Sequence, residues 1–124
     1  MPRILVVDDD AAIRELLHFV LEEEGYEVIE AVDGAEGLQR YQADPTDLVI
    51  TDLKMPGMDG LELLMALRRI VPTPVLMAIS GDRDALTRAQ DLTPHTFAKP
   101  LPLEQILAAV RNLDLRHRSY GETA

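Results

Sequence analysis

The chain contains no cysteine and no tryptophan, and only three tyrosines and two phenylalanines in 124 residues. Without cysteine it can form neither a disulfide framework nor a thiolate metal site. No apolar run approaches the ~18 residues that a membrane-spanning helix requires. The start, Met1-Pro2-Arg3 followed by a short apolar run and then acids, lacks the form of a signal peptide. The expected location is therefore the cytoplasm. Basic residues are scarce: 12 Lys and Arg stand against 22 Asp and Glu, a formal net charge of −10. That balance excludes sequence-independent binding to nucleic acid, which rests on Lys and Arg neutralising phosphates. Repeats, low-complexity tracts and Gly/Ser linkers are also missing. What remains is the size of one domain. Its 47% apolar and 27% charged content is ordinary for a chain that folds around its own core.

Short apolar runs alternate with segments of helical period. Ile4-Leu5-Val6-Val7 is continuous and β-branched, as in a strand buried on both faces, and stops at Asp8-Asp9-Asp10. Ile13, Leu16, Leu17, Val20 and Leu21 then mark one face of a helix that ends at Gly25. Residues 26–32 read as a more polar strand, nearer an edge. Asp33-Gly34 is a turn, and residues 35–43 form a short helix closed by Asp44-Pro45. Residues 47–52 form a third strand, acidic at its far end. The loop from Lys54 to Gly60 is dense in helix and strand breakers. Leu61, Leu64, Met65 and Leu67 predict a helix running to about Val71, and Pro72-Thr73-Pro74 breaks it. Residues 75–79 are a fourth strand ending at Ser80-Gly81. Residues 82–92 are weakly helical, with a thin apolar face of Ala85, Leu86 and Ala89. Thr96-Phe97-Ala98 is a short fifth strand before Lys99-Pro100. Leu103, Ile106, Leu107, Val110 and Leu113 predict a last helix. Residues 1–114 are the expected domain. Residues 115–124 are the expected polar tail, or the start of a linker.

Five βα units in succession imply an α/β fold with a parallel sheet, right-handed crossovers and helices on both faces. The flavodoxin-like (βα)5 sandwich, with strand order 2-1-3-4-5, is the architecture expected for this length. In such sheets ligands bind outside the carboxyl ends of the strands. Asp8, Asp9 and Asp10 follow the first strand, Asp52 ends the third, Ser80 the fourth, and Lys99 follows the fifth. Clustered carboxylates repel unless protonated or bridged by a cation. Their hard oxygens suit Mg²⁺, which accepts one or two carboxylates and shares oxygens with a phosphate. Lys99 is placed to bind a phosphoryl oxygen as a point charge, and Ser80 can donate a hydrogen bond to another. Asp52 can act as a nucleophile, because a carboxylate can take a phosphoryl group to form an acyl phosphate.

Each feature alone has a plainer reading. The first acids could cap a helix, a role that Asp10 is expected to fill. Asp52 and Ser80-Gly81 could be turn residues, and Lys99 a solvated lysine. It is their coincidence on neighbouring strand ends that points to a site. His18 reads as a surface or boundary residue. His95 and His117 are scattered, and Arg68-Arg69 and Arg116-His117-Arg118 read as solvated basic spots. Met55 and Met58 are expected to pack the loop.

Ile4-Leu5-Val6-Val7-Asp8-Asp9-Asp10 resembles the opening strand and acid pair of the receiver domain of two-component response regulators. The segment from Thr51 to Gly60 closely resembles that family's phosphorylation-site segment. Ser80-Gly81 and Lys99-Pro100 resemble its Ser/Thr-Ala/Gly and lysine-proline steps. The resemblance spans about residues 3–114. It implies that Asp52 is the phosphoacceptor and that Lys99 and Ser80 contact the phosphoryl group. It further implies that Asp9, Asp52 and the backbone carbonyl of Lys54 ligate Mg²⁺, with Asp8 acting through water. The implied donor is a sensor histidine kinase or a phosphotransfer domain. The implied output is a face of helix 4, strand 5 and helix 5 that meets an effector protein or domain. The implied protein is a switch that catalyses only its own phosphorylation and dephosphorylation. A phosphorylation-dependent homodimer is left open.

Two features depart from the family pattern. Thr96 stands three residues before the lysine, where the family usually has an aromatic reporter, and Phe97 comes one later. The fourth strand also reads one residue long between Pro74 and Ser80. Either the last strands pair with an offset or bulge, or the reporter is absent. The rival readings are an aspartyl-nucleophile phosphohydrolase and a non-phosphorylated pseudo-receiver serving as an interaction module. Lys54 weighs against the first, because such enzymes usually carry an acid two residues after the nucleophile. The full set of acids and lysine weighs against the second.

Overall fold

The computed structural model describes residues 2–115. Its elements run β1 (Arg3–Val7), α1 (Ala11–Glu23), β2 (Glu27–Ala31), α2 (Gly34–Ala43), β3 (Leu48–Asp52), α3 (Gly60–Leu67), β4 (Val75–Ser80), α4 (Arg83–Ala89), β5 (Thr96–Ala98) and α5 (Leu103–Asn112). The strands form one parallel sheet in the order β2-β1-β3-β4-β5, as expected. β2, the polar strand, lies at an edge. Among the described residues, no helix is long and apolar enough to cross a membrane.

Two cores sandwich the sheet. Side chains alternate between faces along each strand. Leu5, Val7, Val49, Leu76 and Ala78 meet Tyr41 of α2, Leu63, Leu64 and Leu67 of α3, and Ala85 and Ala89 of α4. Ile4, Val6, Leu48, Ile50, Met77 and Ile79 meet Leu17 and Leu21 of α1, and Ile106 and Val110 of α5. β1, β3 and β4 are covered on both sides, which is why their sequences are unbroken apolar runs. Leu16, read as part of the buried face of α1, is instead 44% exposed.

The last two strands settle the register question. Ala78, Ile79 and Ser80 pair in sequence with Thr96, Phe97 and Ala98, with no bulge between them. Phe97 packs with Ile79 in the α1/α5 core, while Thr96 shares the face of Ala78 and Ser80. The aromatic reporter is therefore absent, and a threonine holds its place.

Two boundaries differ from expectation. α3 ends at Leu67, not near Val71. Tight turns follow, in which Arg69 donates to the Ala66 carbonyl and Ile70 to that of Leu67. Pro72 has no amide to donate to the Arg68 carbonyl, and its ring crowds that carbonyl, so the helix does not run on through this segment. Met65, predicted to face inward, is 47% exposed. At the other end Leu115, assigned to the polar tail, is 2% exposed and joins the second core. Leu115 is thus part of the packed core. The rest of the expected tail, including Arg116, His117 and Arg118, lies outside the described residues.

Leu17 of α1 is almost fully buried in the second core. Truncating it to alanine is expected to open a cavity and lower stability by about 3 kcal/mol. Urea unfolding followed by circular dichroism reads that loss as a lower midpoint.

Candidate functional site

The acids, the serine and the lysine meet at the carboxyl ends of four strands. Asp10 does not join them. It caps α1, its Oδ1 accepting from the amides of Ala12 (2.9 Å) and Ile13 (3.4 Å). This leaves Asp8 and Asp9 free for the site. Carboxylate oxygens of Asp8, Asp9 and Asp52 all lie within 4.8 Å of one another. Asp8 and Asp52 are buried and Asp9 is exposed, so the cluster has two walls and a mouth.

The Lys99 ammonium stands 3.2 Å from Asp52 Oδ2 and 3.5 Å from Asp8 Oδ2. Each acid spends its other oxygen on the backbone. Asp52 Oδ1 accepts from the amides of Leu53 (2.7 Å) and Lys54 (3.4 Å), and Asp8 Oδ1 accepts from the Asp10 amide (2.9 Å). The Lys54 backbone thus passes beside Asp52, while its ammonium is drawn off to Asp82, 3.4 Å away. Ser80 is fully buried, and its hydroxyl accepts from the Asp82 amide at 3.0 Å. Asp82 in turn caps α4 through the Ala85 amide. That hydrogen bond, with Lys54 nearby, holds Asp82 below its ordinary carboxylate range.

The floor of the site is made by a close backbone approach. A Cβ on Gly60 would lie 2.0 Å from the Asp52 carbonyl oxygen, so only glycine lets α3 start there. Gly57 takes a positive φ of 74°, the second point at which the loop needs glycine. Met55 is buried and Met58 packs against the same core, so the loop is pinned from beneath, as expected.

Two further residues bear on the site and were not singled out in the sequence. Arg14 Nη1 donates to the Asp8 backbone carbonyl at 2.7 Å, and its Nε to Glu30 at 2.8 Å. A glutamate inside a strand, and an arginine one turn after a capping aspartate, were the available signals. His18, read as a surface or boundary residue, is paired to Glu30 and Glu22.

The electrostatics fit a cation. Burial pushes Asp8 above its ordinary 3.8, with Asp52 and Asp9 adding to the effect, despite the Asp10 amide and Lys99. Lys99 is disfavoured by burial, yet Asp8 and Asp52 prevail and raise it above 10.5. The donor set is all hard oxygen, with one ammonium already neutralising part of it. One more small divalent cation of the Mg²⁺ type matches this charge and chemistry.

Asp8 binds its proton more tightly folded than unfolded, so ionising it costs stability. The cost grows as pH rises from 3.8 through the raised folded value. Asp8→Asn is therefore expected to raise the melting temperature at pH 7 without divalent metal. The gain should vanish below the unfolded value of 3.8, where wild type is protonated in both states. A thermal melt series against pH checks both halves.

Comparison with known proteins places the arrangement. Residues 4–111 match the family model described as the response regulator receiver domain. Sporulation initiation phosphotransferase F of Bacillus subtilis is 37% identical over 112 residues, covering 88% of this chain and 90% of that protein. The transcriptional regulatory protein PrrA of Mycobacterium tuberculosis is 38% identical over 126 residues, 99% of this chain but 53% of PrrA. The chain thus spans nearly all of one relative and about half of the other. Among solved structures, the response regulator TrrA of Thermotoga maritima in complex with Mg²⁺-BeF superimposes with a TM-score of 0.83 at 33% identity. That match covers 91% of this chain and 99% of TrrA. With its 2-1-3-4-5 sheet and the acid cluster at the strand ends, the chain belongs to the receiver domain family of two-component response regulators.

Proposed function

We propose that Asp52 is the residue this receiver phosphorylates. The observation that carries the reading is the Lys99 ammonium, set 3.2 Å from Asp52 and 3.5 Å from Asp8, beside three carboxylates within 4.8 Å. Asp8, Asp9, Asp52 and the Lys54 backbone carbonyl are the groups that would hold Mg²⁺. When bound, the metal offsets the charge of the carboxylates and of the phosphoryl oxygens. An Asp52 carboxylate oxygen attacks the phosphorus. The bond from phosphorus to the donor breaks, and the donor leaves with that electron pair. Lys99 binds a phosphoryl oxygen and exchanges its contact with Asp52 for one with the incoming group. The Leu53 and Lys54 amides hold the carboxylate in place during attack.

The donor is phosphohistidine of a sensor histidine kinase or phosphotransfer domain, met in the cytoplasm. The receiver turns over no separate substrate. Its readout runs through Ser80. When that hydroxyl turns to donate to the new phosphoryl oxygens, the Asp82 amide loses its acceptor. Asp82 also caps α4 and holds Lys54, so the change reaches the start of α4 and the face it forms with β5 and α5. An effector protein or domain, or a second copy of the receiver, reads that face.

The test is intact mass after incubation with Mg²⁺ and acetyl phosphate. One labile phosphoryl adduct is expected on wild type and none on Asp52→Asn. Lys99→Ala is expected to slow its formation by about a hundredfold. Sustained release of phosphate would instead indicate a phosphohydrolase. The absence of both adduct and Mg²⁺ binding would indicate a pseudo-receiver.

A further inference from the structure

The Asp8–Asp10 turn carries two of the three clustered acids, yet its own backbone is tied at few points. The Asp8 amide bonds to the Ala31 carbonyl, the Asp10 amide to the Asp8 side chain, and the Asp10 carbonyl accepts from the Arg14 amide at 3.0 Å. The Asp8 carbonyl is held by a side chain, Arg14 Nη1, at 2.7 Å. That guanidinium is itself fixed from the far side. Its Nε donates to Glu30 Oε1 at 2.8 Å, and the other Glu30 oxygen faces His18 Nδ1 at 2.5 Å. His18 Nε2 reaches Glu22 at 3.1 Å. Arg14 is 14% exposed, while His18 and Glu30 are each 29% exposed, so the chain runs from solvent to the acid site.

We propose that Arg14 is a positioning residue for the acid site, and that the protonation state of His18, acting through Glu30, sets how firmly Arg14 holds the Asp8 carbonyl. The reason lies in donor counting. An imidazolium donates from both nitrogens and can satisfy Glu30 and Glu22 together. A neutral ring carries one proton and must release one of them. Whichever proton leaves, Glu30 loses its charged partner, and the anchor that aims the Arg14 fork is loosened. Outer partners of this kind orient metal-binding groups and alter affinity without touching the metal.

The surroundings of His18 are simple. It pairs with Glu22 on α1 and with Glu30 on β2, and Glu30 also holds Arg14 of α1. The one charged residue of β1, Arg3, pairs with Glu27 and Asp44, and Arg111 of α5 pairs with Glu24. Burial opposes the His18 charge, but its bonds to Glu30 and Glu22 prevail and raise it above 6.5. Glu30, also penalised by burial, is held ionised by His18 and Arg14. The protonated form therefore persists to higher pH than in a free histidine.

The metal-affinity arm of the test rests on the Mg²⁺ site proposed above, while the amide arm does not. Amide spectra of the metal-free protein are recorded from about pH 6 to pH 9, around the range where histidine titrates. The Asp9 and Asp10 amides are expected to shift with the same midpoint as the His18 ring, and His18→Gln should abolish that transition. Persistence of the transition in His18→Gln overturns the proposal. In the second arm, Mg²⁺ alone is titrated at fixed pH. Arg14→Ala is expected to bind it about tenfold more weakly. Arg14→Lys should fall between, since one ammonium cannot bridge the Asp8 carbonyl and Glu30 as the fork does. Wild-type affinity retained in a folded Arg14→Ala, verified by circular dichroism, also overturns it. Amides that follow His18 in a wild type with no Mg²⁺ affinity support the clamp and refute the metal reading, so the two failures are distinct.

Discussion

The arrangement depends on one electrostatic constraint. Two buried aspartates and an exposed one share a space less than 5 Å across, and like charges at that range repel strongly. Lys99 answers part of that repulsion, and the backbone amides at Asp10, Leu53 and Lys54 answer more. Burial, with what is left of that repulsion, raises Asp8, and the all-oxygen cluster matches a small divalent cation in charge and chemistry. Such a cluster is stable only if the rest of the fold pays for it. The sandwich does so with two apolar cores whose strands end where the acids begin. The elements that look incidental to the site serve this end. Asp10 is taken out of the cluster by capping α1, and Gly60 lets α3 start against the Asp52 carbonyl.

Much of this was legible in the sequence because the two periodicities are strong. Strands buried on both faces must be continuous apolar runs, and β1, β3 and β4 are. Polar residues that stop such runs fall at one end of the sheet by topology alone, which brings Asp8, Asp52, Ser80 and Lys99 together. What escaped was of another kind. Arg14, Glu30 and His18 join α1 to β2 across 16 and 12 residues, and no local pattern records which charged residues will meet. The stop of α3 at Leu67 was hidden because Leu61, Leu64 and Leu67 continue a helical period toward Pro72. The proline acts upstream of itself. Leu115 was hidden by its polar neighbours, for one leucine after a helix carries no period.

The threonine at position 96 bears on how a signal could leave the site. In a parallel pair, facing residues share a side of the sheet, so Thr96 lies with Ala78 and Ser80 while Phe97 belongs to the opposite core. Moving Phe97 to the site side would take a one-residue slip and would turn Thr96 and Ala98 inward with it. The continuous pairing excludes that. A ring that swings into space vacated by Ser80 is therefore not available to this chain. Thr96 is smaller and branched at Cβ, with few χ1 states to exchange.

Without that ring, the hydrogen-bond route through Ser80 and Asp82 carries the coupling on the reading proposed here. Asp82 stands at a junction. Its amide donates to Ser80, its carboxylate caps α4, and the same carboxylate holds Lys54 of the loop that follows Asp52. A change at Ser80 thus acts on both sides of the site at once. α4 is suited to respond, because it is short and buries only Ala85 and Ala89 fully. Little apolar area therefore resists its displacement. A ligand shifts such an equilibrium only by its differential affinity for the two states. Inverting a 1:99 population takes about 5.5 kcal/mol. One serine hydrogen bond to a doubly charged phosphoryl group contributes about 1.5–3 kcal/mol. On the proposed reading a single serine hydrogen bond falls short of that figure, so Ser80 would direct the change while Lys99 and a bound cation would supply the rest.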